Sequence, residues 1–249
     1  DTAALAGHYA HWLEENHPGK NSLLEVTSAA EQPPQDLDEI WRSAMPTELH
    51  YNTWITDCAT RFLNDVIDND YPFFLFVSYP DPHHPFAPPT EYADRFHADD
   101  MPLPRTDPEE LDRMPPYYRE LYPKGQAFRE LYWSARDDLE AGSMITTDNI
   151  SDGSMRQAIA YTNAMIEMID DGIGRILSTL DSRGLTDNTI ILFTSDHGEL
   201  LGTHGLLHKG PPPYRQLTEV SLLLKGPGIT AGRTIDTLTS HIDLAPTFQ

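Results

Sequence analysis

Three runs of almost unbroken apolar character, FFLFVSY (73–79), TIILFTS (189–195) and VSLLLKG (220–226), constrain this chain more than any other feature. A strand with one face in water alternates polar and apolar residues, whereas a strand covered on both faces reads as a continuous apolar run. Helical patterns lie between the runs. In IAYTNAMIEMIDDGIGRIL the residues Tyr161, Met165, Met168, Ile169 and Ile176 recur at helical spacing, continued by Leu177 and Leu180. Ser154 and Gln157 have capping-box spacing at its start, and Gly184 is placed to cap its end. Covered strands alternating with amphipathic helices predict an α/β fold, with a mainly parallel or mixed sheet flanked by helices.

Other elements fit around this frame. Residues 2–16 read as a helix stopped by His17-Pro18-Gly19, and a polar linker follows at 28–35. From Thr47 a second helix carries Trp54, Cys58, Phe62 and Val66 at every fourth position, with Leu49, Ile55, Leu63 and Ile67 beside them. Twelve of the 21 prolines fall between Pro72 and Pro123, which predicts a loop-rich excursion at about 80–150 with a short helix at 91–96. A closing helix is expected from Ser240.

Composition excludes several functions. Seventeen basic against 39 acidic side chains leave a net charge of −22, which repels nucleic acid. No run of 18 apolar residues is present, so no membrane-spanning helix is expected. The single cysteine, Cys58, can form neither an internal disulfide nor a cysteine metal cluster, and its place on an apolar stripe predicts a buried structural thiol. The chain opens with Asp1 and stops at Gln249 inside an apolar helical start, as expected of an incomplete fragment of a longer protein. Compartment and oligomeric state are not legible, and cytoplasmic, periplasmic and secreted locations all stay open.

Open α/β sheets bind ligands beyond the carboxyl ends of their strands. That rule selects PDPHHPF (80–86) and DHGELLGTHGLLHKG (196–210). Asp196 and His197 are ready-made ligands for a divalent cation, with Gly198 letting the backbone turn around it; the alternative is a helix-capping aspartate beside a surface histidine. His83 and His84 are held between Pro82 and Pro85, either as preorganised catalytic groups or as part of an ordinary proline-rich surface loop. Lys209 supplies positive charge that an anionic substrate needs in so acidic a chain, unless it is merely solvated.

Taken in order, PFFLFVSYPDPHHPF, the helix IAYTNAMIEMIDDGIGRIL, TIILFTSDHGELLGTHGLLHKG, VSLLLKGPG and SHIDLAPT resemble the type I, formylglycine-dependent sulfatases of the alkaline phosphatase superfamily. The resemblance runs from Tyr71 to Gln249, with a gap at 98–150. It implies the later part of one sulfatase-like catalytic α/β domain spanning 1–249, cleaving small-molecule or glycan sulfate esters. It matches Asp196 and His197 to the metal pair, usually calcium, with Mg2+ or Mn2+ as alternatives. A histidine beside calcium is chemically awkward, and implies a softer ion or a substrate contact. Lys209 matches the lysine at the sulfate, and His83 the histidine that binds sulfate and protonates the leaving group; His84 is a secondary substrate-binding candidate.

The family's C-x-P-S-R motif, whose cysteine or serine becomes formylglycine, is absent, and Cys58 reads C-A-T-R-F. The nucleophile is therefore expected outside this chain, in an N-terminal segment, and a C-terminal subdomain is likewise expected to be missing. The same superfamily offers a rival reading as a phosphomonoester, phosphodiester or phosphonate hydrolase. A third reading is a non-catalytic protein that binds sulfated glycans.

Overall fold

Along the chain, the computed structural model describes residues 7–66, 72–107, 109–116, 147–210 and 213–248. The elements are α1 (Gly7–Asn16), α2 (Tyr51–Val66), α3 (Thr90–Ala93), α4 (Glu110–Arg113), α5 (Asp152–Ser182), β1 (Ile191–Thr194), α6 (Arg215–Thr218), β2 (Leu222–Lys225) and α7 (Leu244–Thr247), joined by loops and single 3-10 turns. Residues 2–6 of the first expected helix, Ile67 and 117–146 of the excursion lie outside the described residues.

The 31-residue α5 is the axis of the fold. Its N-cap is Ser151, whose hydroxyl accepts from the Ser154 amide at 3.2 Å, so the helix starts before the Ser154–Gln157 box expected from sequence. The reason is a distant partner. Asp36 accepts from the Ser151 amide at 2.8 Å and from the Ser154 hydroxyl at 2.6 Å, which takes that hydroxyl away from a capping role. Gly184 at φ 68° ends the helix as expected, in a left-handed conformation that glycine adopts without cost.

Against α5 lies α2, but not by the expected stripe. Its buried residues are Asn52, Thr56, Ala59 and Leu63, while Phe62 is exposed and Cys58 only half-buried. The face is chosen by what α2 meets. Thr56 packs at Gly172 of α5 and bonds Tyr79, and Asn52 reaches Asp81, so polar contacts override the apolar period.

The described sheet is one antiparallel pair, β1 with β2, in the register Ile191↔Lys225 to Thr194↔Leu222. These two runs thus pair antiparallel rather than in parallel. A parallel pair needs a substantial crossover, and between β1 and β2 the described helix is only the four-residue α6. The run 73–79, expected as a strand, joins no ladder among the described residues. It is half-buried at alternate positions, leaving Phe74 87% and Phe76 78% exposed.

The main core gathers Leu37, Ile40, Phe86, Ala93, Met155, Ala158, Tyr161, Met165 and Leu207. The chain at 39–43 runs parallel to 86–89, with the Phe86 amide donating to the Glu39 carbonyl at 2.8 Å and the Ser43 amide to the Pro88 carbonyl at 3.0 Å. Leu37, Phe86 and Leu207 thereby anchor three distant segments at one place, and the polar residues beside them form the site.

Candidate active site

His83 lies on the exposed loop after residues 73–79. Its Nδ1 is 2.6 Å from the His84 carbonyl oxygen, which can only accept, so Nδ1 carries a proton and Nε2 is the atom left to take up or release one. The His83 ring lies 4.1 Å from that of His84, which in turn stacks on His208 at 4.1 Å and 16°. Burial holds the His84 imidazole well below its ordinary pKa, and the neighbouring His208 and Lys209 push the same way. His208 Nε2 is 2.7 Å from Glu39 Oε2. Although burial works against it, the Glu39 carboxyl is held below its usual range by His208 and His84.

Lys209 follows His208 directly. Its Nζ is buried without a hydrogen-bond partner, and the nearest carboxylate, Glu199, stands 3.8 Å away. The structure thus sets the His83 ring beside His84 and the His84 ring on His208, whose neighbour in the chain is Lys209.

Asp196 and His197 lie in the loop that follows β1, which ends at Thr194. The His197 amide donates to Asp196 Oδ1 at 2.9 Å, and its Nδ1 donates to the Gly198 carbonyl at 2.8 Å. In the neutral imidazole Nε2 then carries the lone pair, and it lies 3.5 Å from Asp196 Oδ2. Two acceptors held that close are well suited to share a divalent cation, so this donor pair fits a metal. Glu199 links the two groups, since it follows His197 by two residues and meets Lys209. Gly198 is required by close approach: a Cβ there would stand 1.8 Å from the Gln216 carbonyl oxygen.

Sequence reasoning missed Glu39, His208, Glu199 and Asp81. Asp81, two residues before His83, is buried and accepts from the Tyr51 hydroxyl and from Asn52 Nδ2 at 2.7 Å. His208 had a signal, since it adjoins Lys209. Glu39 had none, because only the tertiary fold places it beside His208, 169 positions along the chain.

A family model named Sulfatase matches residues 2–249. The chain belongs to the sulfatase family. It is 31% identical over 250 residues to the uncharacterized sulfatase YidJ of Escherichia coli, covering 96% of this chain and 43% of that protein. It is 32% identical over 199 residues to mouse iduronate 2-sulfatase, covering 80% of this chain and 33% of the other. The sulfatase chain described here therefore spans less than half the length of these curated relatives. Its fold is similar to that of the phosphonate monoester hydrolase of Silicibacter pomeroyi, with a TM-score of 0.72 at 22% identity, covering 96% of this chain and 45% of that one. Sulfatases are typically metal-dependent, and Glu39, His84 and His208 here have metal-ligand spacing. No helix among the described residues is long and apolar enough to cross a membrane.

Proposed function

We propose that this chain is the later part of a sulfatase catalytic domain that hydrolyses sulfate esters of small molecules or glycans. The observation that carries the reading is Lys209. A buried ammonium that lacks a hydrogen-bond partner and has one carboxylate at 3.8 Å is incompletely neutralised, and a bound oxyanion completes its shell. His83 supports the reading from the neighbouring loop, because its fixed Nδ1–H leaves Nε2 as the proton-carrying atom.

In the proposed reaction Lys209 binds the sulfate and stabilises charge that moves onto the bridging oxygen as the ester bond breaks. His83, protonated at Nε2, binds the same group and gives its proton to the departing alkoxide. His84, whose ring lies 4.1 Å from that of His83, is a secondary candidate for contact with the substrate. Asp196 and His197 would hold the metal, calcium or alternatively magnesium or manganese, which supplies charge neutralisation at the sulfate. The nucleophile would be a formylglycine outside these residues.

Lys209→Ala in the complete enzyme is expected to lower kcat/KM about a hundredfold or more, the scale of losing one oxyanion donor, with kcat falling as well as KM rising. Lys225→Ala, on β2, should keep near-normal turnover. Equal small losses at both lysines would overturn the assignment. The same assay run on sulfate, phosphate and phosphonate esters tests the substrate, and faster turnover of a phosphate or phosphonate ester would replace the sulfate reading with the superfamily alternative.

A further inference from the structure

We propose that Glu39, His84 and His208 form a separate site for a divalent transition-metal ion, zinc by its donor set, that ties the loop carrying His83 to the loop carrying Lys209. One carboxylate oxygen and one nitrogen from each ring lie within 4.8 Å of one another. Three atoms of these residues, Glu39 Oε2, His84 Nδ1 and His208 Nε2, are buried without a hydrogen-bond partner. Glu39 Oε2 and His208 Nε2 face each other at 2.7 Å as an ion pair without completing a hydrogen bond, and a metal ion would replace that contact while satisfying His84 Nδ1 as well. Buried polar atoms are nearly always satisfied, so unpartnered atoms on three residues whose ligand atoms gather within 4.8 Å call for a bound group. His208 is 5% exposed, so bulk water has little access to it.

The donor chemistry selects the ion. Two imidazoles and a carboxylate suit zinc and its first-row neighbours, whereas calcium takes six to eight oxygens. Zinc-to-nitrogen distances of about 2.0–2.1 Å set a tetrahedral edge of roughly 3.3 Å. The ion would part Glu39 and His208 by about half an ångström and draw in the wider pairs by rotation of the rings. The ion-pair contact of Lys209 is with Glu199 and not with Glu39.

The backbone is already built for such a clamp. Ile40, Phe86 and Leu207 belong to one core cluster, and each neighbours or flanks a proposed ligand. The site is distinct from the Asp196–His197 pair, neither of which belongs to this ligand group. The proposal does not depend on which ester the enzyme cleaves.

The test uses the complete protein, stripped with a chelator and titrated with Zn2+ by equilibrium dialysis, then with Co2+ as a visible-absorption probe. Zinc should bind and raise the Tm, and Co2+ should show the intense bands of a low-coordinate site containing nitrogen. Glu39→Gln and His208→Gln should each weaken zinc binding roughly tenfold or more and lose the Co2+ bands, while matching the metal-free wild type in circular dichroism. Glu39→Gln keeps nearly the same side-chain shape, so it decides the matter if His208→Gln fails to fold. Asp196→Asn should keep the bands. Wild-type affinity in Glu39→Gln, absence of the bands in the wild type, or their loss in Asp196→Asn would each overturn the proposal.

Discussion

Asp81 and His50 show how two buried groups can hide each other's effect on stability. Burial pushes the Asp81 carboxyl up to about 7 from 3.8, even though the Tyr51 hydroxyl and Asn52 favour its charged form. Burial pulls the His50 imidazole down from 6.5 to about 3. Between pH 3.8 and 7 the native state holds a proton on Asp81 that the unfolded chain has released, so stability falls as pH rises. Between pH 3 and 6.5 the unfolded chain binds a proton at His50 that the native state refuses, so stability climbs with pH. The slopes are at most about 1.4 kcal/mol per pH unit and opposite in sign, so they cancel where they overlap. Asp81→Asn should remove one of them. Its stability relative to wild type, from denaturant titrations at a series of pH values, should increase from pH 4 to 7. A flat difference would mean that Asp81 is ionised in the fold with an ordinary pKa. At this scale the sequence exposed whatever stands in a punctuated loop: His83, His84 and Lys209 are flanked by Pro or Gly and could be singled out. Asp81 stands in the same loop, but its burial is made by α2, thirty residues upstream, and nothing local announces that.

The packing of α2 on α5 depends on glycine at one position. A Cβ at Gly172 would lie 2.6 Å from Thr56 Oγ1 and 3.0 Å from the Tyr79 hydroxyl, and Thr56 is itself buried and cannot swing away freely. Gly174, two residues on, would meet nothing within 4 Å. Gly172→Ala should therefore cost about 1–3 kcal/mol through overpacking. Gly174→Ala should gain about 0.5–1 kcal/mol from helix propensity. Thermal denaturation of the two variants checks this pair of signs, and a stabilised Gly172→Ala would show that the helices have room to separate. The same contact explains which parts of the elements were legible. Helical period located α2 and α5, and Gly184 marked where α5 ends. The buried face of α2 and the cap of α5 were misjudged because Tyr79, Asp81 and Asp36 decide them, and those partners are remote in sequence. The run 73–79 has the composition of a covered strand, but a ladder needs a neighbour, and pairing is not a property of one segment.

At the scale of the molecule, two opposing forces act on its surface. Apolar side chains stand open to solvent: Phe74, Phe76, Leu223 at 64%, Leu238 at 99% and Ile242 at 81% exposure. Such patches favour association. The net charge of −22 opposes it, because two copies approaching each other repel over about 10 Å at 0.1 M salt and over about 3 Å at 1 M. The 249-residue chain by itself should therefore be dispersed at low ionic strength and should self-associate as salt is added, the reverse of an ion-paired complex. Sedimentation velocity across that salt range measures it, with a hydrophobic dye reporting the open patches. Phe74→Ser with Phe76→Ser removes the two most exposed aromatic rings among the described residues and leaves the net charge unchanged. It should lower dye binding and shift association to higher salt. Association that weakens as salt is added would mean that charge drives it, and an unchanged double variant would mean that these rings are not part of the contact.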